Sequence, residues 1–120
     1  MILADTSVWV DHLRNSDAAL IALLNEGSVL IHPLVIEELA CGNLSPREEI
    51  LQLLSSLPVT PVAAHDELLD FIEAERIHGT GLGAVDAQII ASARLAHAKI
   101  WSKDKALCRA ARHLKLLAHV

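Results

Sequence analysis

The chain has 120 residues, 52% hydrophobic and 21% charged, enough apolar material to bury a core of its own, since domains of this size remove roughly two-thirds of their unfolded surface from water. This balance excludes intrinsic disorder, while a net charge of −5 with only 2% aromatic residues argues at first against a nucleic-acid binder, which grips phosphates with cations and stacks bases on rings. No stretch offers the roughly 18 uninterrupted apolar residues of a membrane span, and Met1 to Asp5 carries no basic leader, so the expectation is a single cytoplasmic domain over residues 1–120.

Apolar periods switch repeatedly between strand-like runs and helix-like faces, the pattern of an α/β layer fold with a parallel sheet. Residues 2–4 read as a short buried strand ending at Asp5. Thr6 and Ser7 then cap a helix reaching about Leu13, with Val8, Trp9, His12 and Leu13 at helical spacing. A second helix covers about 17–25 and stops at Gly27, and the strand 28–32 follows. Pro33 opens a helix ending at Gly42, in line with the preference for Pro at the start and Gly just past the end. Ser45-Pro46-Arg47-Glu48 reads as a capping box introducing the helix 46–57. Pro58 and Pro61 bracket a short extended piece. Helices over 66–77 and 84–97 flank the break His78 to Gly83, and a strand at 99–102, a helix at 104–113 and a strand at 116–119 complete the chain. Gly79-x-Gly81-x-x-Ala84 has the form of a dinucleotide-binding fingerprint, but it follows a helix instead of a strand and reads as a connection.

Cys41 and Cys108 lie in no CxxC and read as buried thiols; the seven histidines show no ligand spacing and read as surface or internally satisfied residues. Most acids sit in first turns or on exposed faces, where they cost little. Four do not. Asp5 ends an apolar strand, Glu38 lies within Leu34-Val-Ile-Glu-Glu-Leu-Ala-Cys-Gly42, Asp86 begins an apolar helix, and Asp104 closes the strand from Lys99. Singly, Asp5 and Asp104 are plausible helix caps and Asp86 a first-turn acid. Glu37 and Glu38 point about 100° apart, so one of them lies near the apolar side and spacing alone does not choose. Together they point to a site, because the C-terminal ends of parallel strands gather at one edge where ligands bind. Two carboxylates about 4 Å apart repel by about 4 kcal/mol at an effective dielectric near 20, so four of them need counter-charge. An all-oxygen set without Cys or His selects Mg²⁺ or Mn²⁺, whose commonest substrate is a phosphate ester.

Four ordered blocks carry a resemblance: Leu3-Ala-Asp5-Thr-Ser-Val-Trp-Val-Asp-His-Leu-Arg14, Val35-Ile-Glu-Glu38-Leu-Ala-Cys-Gly42, Gly83-Ala-Val-Asp86-Ala-Gln-Ile-Ile-Ala-Ser-Ala93 and Ile100-Trp-Ser-Lys-Asp104. The chain resembles the PIN-domain ribonucleases, specifically VapC-type toxins of bacterial toxin–antitoxin pairs. The resemblance implies a three-layer α/β/α fold and a Mg²⁺- or Mn²⁺-dependent endoribonuclease with Asp5, Glu38, Asp86 and Asp104 as catalytic acids, of which Asp5, Asp86 and Asp104 hold metal. It selects Glu38 over Glu37, through the Leu and Gly that follow. It makes Thr6, Ser7 and Ser102 the hydroxyls that orient carboxylates; many relatives carry Thr at the position of Ser102. It implies a VapB-type antitoxin as partner, RNA as substrate and a homodimer. Metal-assisted hydrolysis would leave a 3′-hydroxyl and a 5′-phosphate.

Six of the ten basic residues fall in the last 22 positions, with Asp104 the one acid among them, a concentration that suits substrate grip as well as a solvated helix face. Arg14, Lys103 and Lys105 are the candidate RNA contacts, although Asp11 stands at i,i+3 to Arg14 and suits a simple helix pair. The alternatives are a PIN-like module that binds or regulates without catalysis, which would need a missing acid, and an aspartate-based phosphoryl-transfer domain, which would need a second acid beside Asp5. Setting the four acids aside takes the net charge from −5 to −1, so most of the excess negative charge is the candidate site itself.

Overall fold

In the computed structural model, which describes all 120 residues, three strands run parallel: Ile2–Ala4 (β1), Val29–Leu30 (β2) and Lys99–Trp101 (β3), in the order β2-β1-β3. Ile2 pairs with Val29 on one side and Lys99 on the other, and Ala4 with Trp101. Single parallel bridges, Ile31 to Val59 and Ile100 to Leu117, widen both edges. The expected strands at 28–32 and 116–119 are thus shorter than their apolar runs, and the piece between Pro58 and Pro61 joins the sheet.

Seven helices complete the chain: Thr6–Asn15 (α1), Ala18–Asn25 (α2), Pro33–Ala40 (α3), Arg47–Ser56 (α4), His65–Ala74 (α5), Ala84–Leu95 (α6) and Lys105–His113 (α7). From β1 through β2 to Val59 the chain steps one way across the sheet, carrying α1 to α4; from there to β3 and Leu117 it steps back, carrying α5 to α7. Right-handed crossovers place the two sets on opposite faces, giving the three-layer α/β/α arrangement. Packing agrees, since α1 meets α3, α3 meets α4, and α5 meets α6. Twenty buried apolar residues form the core, with Leu3, Ile31, Ile90, Ile100 and Leu107 fully enclosed. Ala87 to Ala93 of α6 are all buried, as expected for a helix trapped between the sheet and another helix. The reversal of direction falls between β1 and β3, and at such a switch point the strand ends leave a crevice.

Several local expectations need correction. Asp5, not Thr6 or Ser7, caps α1. No capping box forms at Ser45, because Pro46 itself occupies the N-cap position with ψ 125° and no side-chain bond. Glu67 supplies half of such a box at α5, accepting from Ala64 N–H at 3.0 Å. Helices α5 and α6 end earlier than their patterns suggest. There Arg76 and His97 take left-handed φ values of 55° and 53°, and the next residues turn back, Ile77 N–H to Ile72 O at 3.2 Å and Ala98 N–H to Ala93 O at 2.9 Å. Gly27 and Lys115 close α2 and α7 by the same 6→1 bond, the Schellman motif. Cys41 is exposed and Cys108 half-buried, both free, so neither is the enclosed thiol expected. Buried His32 is satisfied as anticipated: Nδ1 accepts from Leu34 N–H at 3.0 Å and Nε2 lies 3.0 Å from Ser92 Oγ.

Candidate active site

Asp5 follows β1 and is 4% exposed. One carboxylate oxygen accepts from Val8 N–H at 3.2 Å, which caps α1, and from the Ser7 hydroxyl at 2.6 Å; the other accepts from the Ser102 hydroxyl at 2.6 Å. Each serine also accepts from the connection between β3 and α7, Ser7 from Lys103 N–H at 2.8 Å and Ser102 from Asp104 N–H at 2.9 Å. The ends of β1 and β3 are therefore tied through one carboxylate and two hydroxyls, and Asp5 is held in a single orientation. Asp104 caps α7 with one oxygen, accepting from Leu107 N–H at 2.9 Å. The capping and functional readings of these two aspartates are compatible, because Asp104 keeps one oxygen free and the Asp5 oxygen that accepts only from Ser102 retains a lone pair for a second task.

Glu38 reaches the same edge from the middle of α3, where the Thr6 hydroxyl donates to it at 2.5 Å. Glu37 makes no such bond. Glu38 also borders a cleft of about 380 Å³ between α1, α3 and the start of α4, with Arg14, Val10, Leu13 and Ile50 among its walls. All three hydroxyls that the sequence singled out, Thr6, Ser7 and Ser102, thus donate to candidate acids.

Residues 2–113, β1 through α7 and all four acids included, match the PIN domain. The chain belongs to the PIN-domain family. Ribonuclease VapC32 of Mycobacterium tuberculosis, found in two strains, is 49% identical over 108 residues, covering 89% of this chain and 87% of that protein.

Within this PIN domain Asp86, in the first turn of α6, shows the electrostatics of the site most directly. Its carboxyl is pushed up to about 6, first by burial and then by the charges of Asp104, Asp5 and Glu38. A helix N-terminus should favour its ionised form, so crowding and desolvation outweigh the dipole. The four acids that sequence reasoning grouped therefore share one electrostatic environment. They do not close into a ligand cage, since no three His, Cys, Asp or Glu side chains stand close enough to hold one ion in common.

The candidate RNA contacts part company. Lys103 turns away from the acids, pairing with Asp11 and lying 3.7 Å from Asp17; hydrogen bonding to Asp11 raises the lysine and lowers the aspartate from their usual values. Asp11 thus serves Lys103 and Asn15, and the expected pair with Arg14 does not form. Arg14 stands free beside Glu38 in the cleft, and Lys105 is exposed at the start of α7. Sequence reasoning missed the polar tie beneath the site: Ser92 bonds Gln88 Oε1 at 3.2 Å, and the Gln88 amide spans Ala63 N–H and C=O. This tie joins α6, which carries Asp86, to His32 at the head of α3, which carries Glu38. Two polar residues at i,i+4 inside an otherwise apolar helix were its signal.

Proposed function

We propose that the chain is a Mg²⁺- or Mn²⁺-dependent endoribonuclease of the VapC type, hydrolysing RNA phosphodiester bonds and neutralised by a VapB-type antitoxin. The observation that carries this reading is the gathering of Asp5, Glu38, Asp86 and Asp104 at one edge of the sheet, all but Asp86 tied by Thr6, Ser7 and Ser102 and crowded enough to push the Asp86 carboxyl up, an arrangement that costs stability unless positive charge is brought to it. Close relation to a protein named a ribonuclease supports it.

The donor set fits the metal. Mg²⁺ prefers oxygen ligands and keeps several waters, binding through one or two carboxylates plus substrate phosphates, which suits acids that do not form a three-ligand cage. Asp5, Asp86 and Asp104 would hold it, one or two of them directly and the rest through its waters. Once bound, such an ion offsets the carboxylate charge, acidifies water and stabilises the charge that develops on the phosphate. The chain's own residues supply the rest. Ser7 and Ser102 fix Asp5, and Thr6 fixes Glu38, so the acids meet the substrate already oriented. One carboxylate of the four, not engaged by the ion, would help take the proton of the attacking water. Cleavage leaves a 3′-hydroxyl and a 5′-phosphate. Arg14, which lines the cleft with Glu38, and Lys105, which follows Asp104, are the RNA contacts we expect, whereas Lys103 is available only when released from Asp11. A cytoplasmic homodimer is the assembly we expect.

The test is RNA cleavage by purified protein in EDTA, Mg²⁺ or Mn²⁺, with cut sites mapped in total RNA after induced expression. Cutting should require the cation, and Asp86→Asn should lower its rate by at least about 100-fold. Metal-independent cutting, or a fully active Asp86→Asn protein, would overturn the proposal.

A further inference from the structure

The charges of this chain are segregated. The first 98 residues hold four basic and fourteen acidic side chains, the last 22 hold six and one. Only three close ion pairs exist, Arg94 with Glu75 and Lys103 with Asp11 and Asp17. Lys99, Lys105, Arg109, Arg112 and Lys115 thus have no carboxylate partner in an acidic protein. A merely solvated surface in a chain with fifteen acids would be expected to mix the two signs.

Geometry groups these cations. Lys105, Arg109 and Arg112 are spaced i, i+4 and i+7 on α7, all exposed, directly opposite buried Leu107, Ala110 and Ala111. The stripe begins beside Asp104 at the acidic edge and runs about 10 Å down the helix at about 1.5 Å per residue. It ends at a cleft of about 480 Å³ whose walls include Lys99, Arg112, Lys115 and His119 and no acid. On the other flank of α7, Arg109 shares a cleft of about 240 Å³ with Arg76 and His113, again without an acid. Because Ile2 pairs with Lys99 at the start of β1 and β3, the larger cleft lies at the opposite end of the sheet from the carboxylates. Two contacts have local uses: Lys99 donates to Lys115 O at 2.7 Å, and Arg112 favours the helix C-terminus. Neither use accounts for Lys105, Arg109 and Lys115.

We infer that the outer face of α7 and the cleft at its C-terminal end form a second phosphate-binding surface, which holds the RNA strand beyond the bond to be cut. This rests on the ribonuclease reading and adds a path for the substrate to it. The stripe and cleft together span about 15 Å, four to five phosphates at the roughly 3.4 Å axial spacing of a stacked strand. The acids repel an RNA backbone in the absence of metal, so a cationic track leading away from them supplies attraction where the site cannot. With so few aromatic residues, the grip is on the backbone and tolerant of sequence.

The test measures binding separately from cleavage, by fluorescence anisotropy of labelled single-stranded RNA in EDTA, across salt concentrations and with oligomers of 1 to about 12 nucleotides. Wild-type affinity should rise with length up to about six nucleotides. The triple variant Arg109→Gln/Arg112→Gln/Lys115→Gln should bind about 10- to 100-fold more weakly and flatten the log K against log salt slope by about 0.7 for each cation removed. Arg109→Lys/Arg112→Lys should keep the wild-type slope, and Arg94→Gln, on a paired arginine elsewhere, should leave binding unchanged. Inorganic phosphate and mononucleotides serve as competitors; binding that does not grow with length would indicate an isolated phosphate pocket and overturn the track. A triple variant with wild-type affinity and slope would also overturn it, leaving the ribonuclease reading intact. Track-dependent binding without any metal-dependent cutting would do the reverse.

Discussion

Replacing Asp86 by Asn should make the metal-free protein more stable. In the folded chain this carboxyl titrates near 6 against an ordinary value of 3.8, so ionising it is harder folded than unfolded. The folded state holds the extra proton between about pH 4 and 6, and this carboxyl's contribution to wild-type stability falls as pH rises through that window. The full difference corresponds to about 3 kcal/mol at 1.36 kcal/mol per pH unit. Asp86 retains partial exposure, and solvent screening reduces the usable part to about 1–2 kcal/mol. Asn keeps the shape and removes the charge, so at pH 7.5 in EDTA Asp86→Asn should gain about 1–2 kcal/mol, or about 3–8 °C in Tm for a domain of this size. Below pH 4 the gain should vanish. Millimolar Mg²⁺ should then stabilise the wild type more than the variant and narrow the gap. Urea titrations of both proteins at pH 3.8, 5 and 7.5 measure this directly. A variant equal to or less stable than wild type at pH 7.5 without metal would refute the claim that carboxylate crowding at Asp86 is stored in the fold.

Asp5→Asn should behave oppositely, losing about 1–3 kcal/mol as well as activity, because an amide cannot accept from Val8, Ser7 and Ser102 as the carboxylate does; thermal melts at pH 7.5 compare the two. His32, kept neutral by burial that lowers its pKa, should lose stability as pH falls below about 6.5, where the unfolded chain takes up a proton first. His32→Gln should remove that component of the pH profile, and His32→Ala should cost about 2–4 kcal/mol through the lost Ser92 and Leu34 bonds and the cavity left behind. His97→Gly, at a φ of 53°, should raise stability by up to about 1 kcal/mol, because glycine tolerates that conformation without strain; denaturant unfolding reads it, and a loss would count against the helix end described.

The four acids were legible because each interrupts an apolar segment, and Asp5 and Asp104 could be placed at strand ends from the hydrophobic runs before them. Helix ends were legible where Pro33 and Gly27 marked them. At Arg76, His97 and Lys115 no glycine announces the left-handed residue, and only the burial of the residues that follow, Ile77, Ala98 and Leu116, reveals what the turn gains. Lys103 and Asp11 are 92 positions apart, and nothing local predicts that the lysine beside Asp104 faces α1 instead of the acids. Glu38 was chosen over Glu37 by resemblance; physically the choice is made by the Thr6 hydroxyl across the gap between α1 and α3.

Asp5 is both the start of a helix and a member of the acid cluster, and this has a consequence for experiments in living cells. A substitution there loosens the seam between β1 and β3, so the altered chain should be cleared by proteases more quickly, and its silence would report lower abundance as much as lost chemistry. Asp86 bears no hydrogen bond that the fold depends on. An inert variant made at Asp86 should accumulate at least as well as the parent, which makes it the cleaner reference for assigning any cellular effect to catalysis.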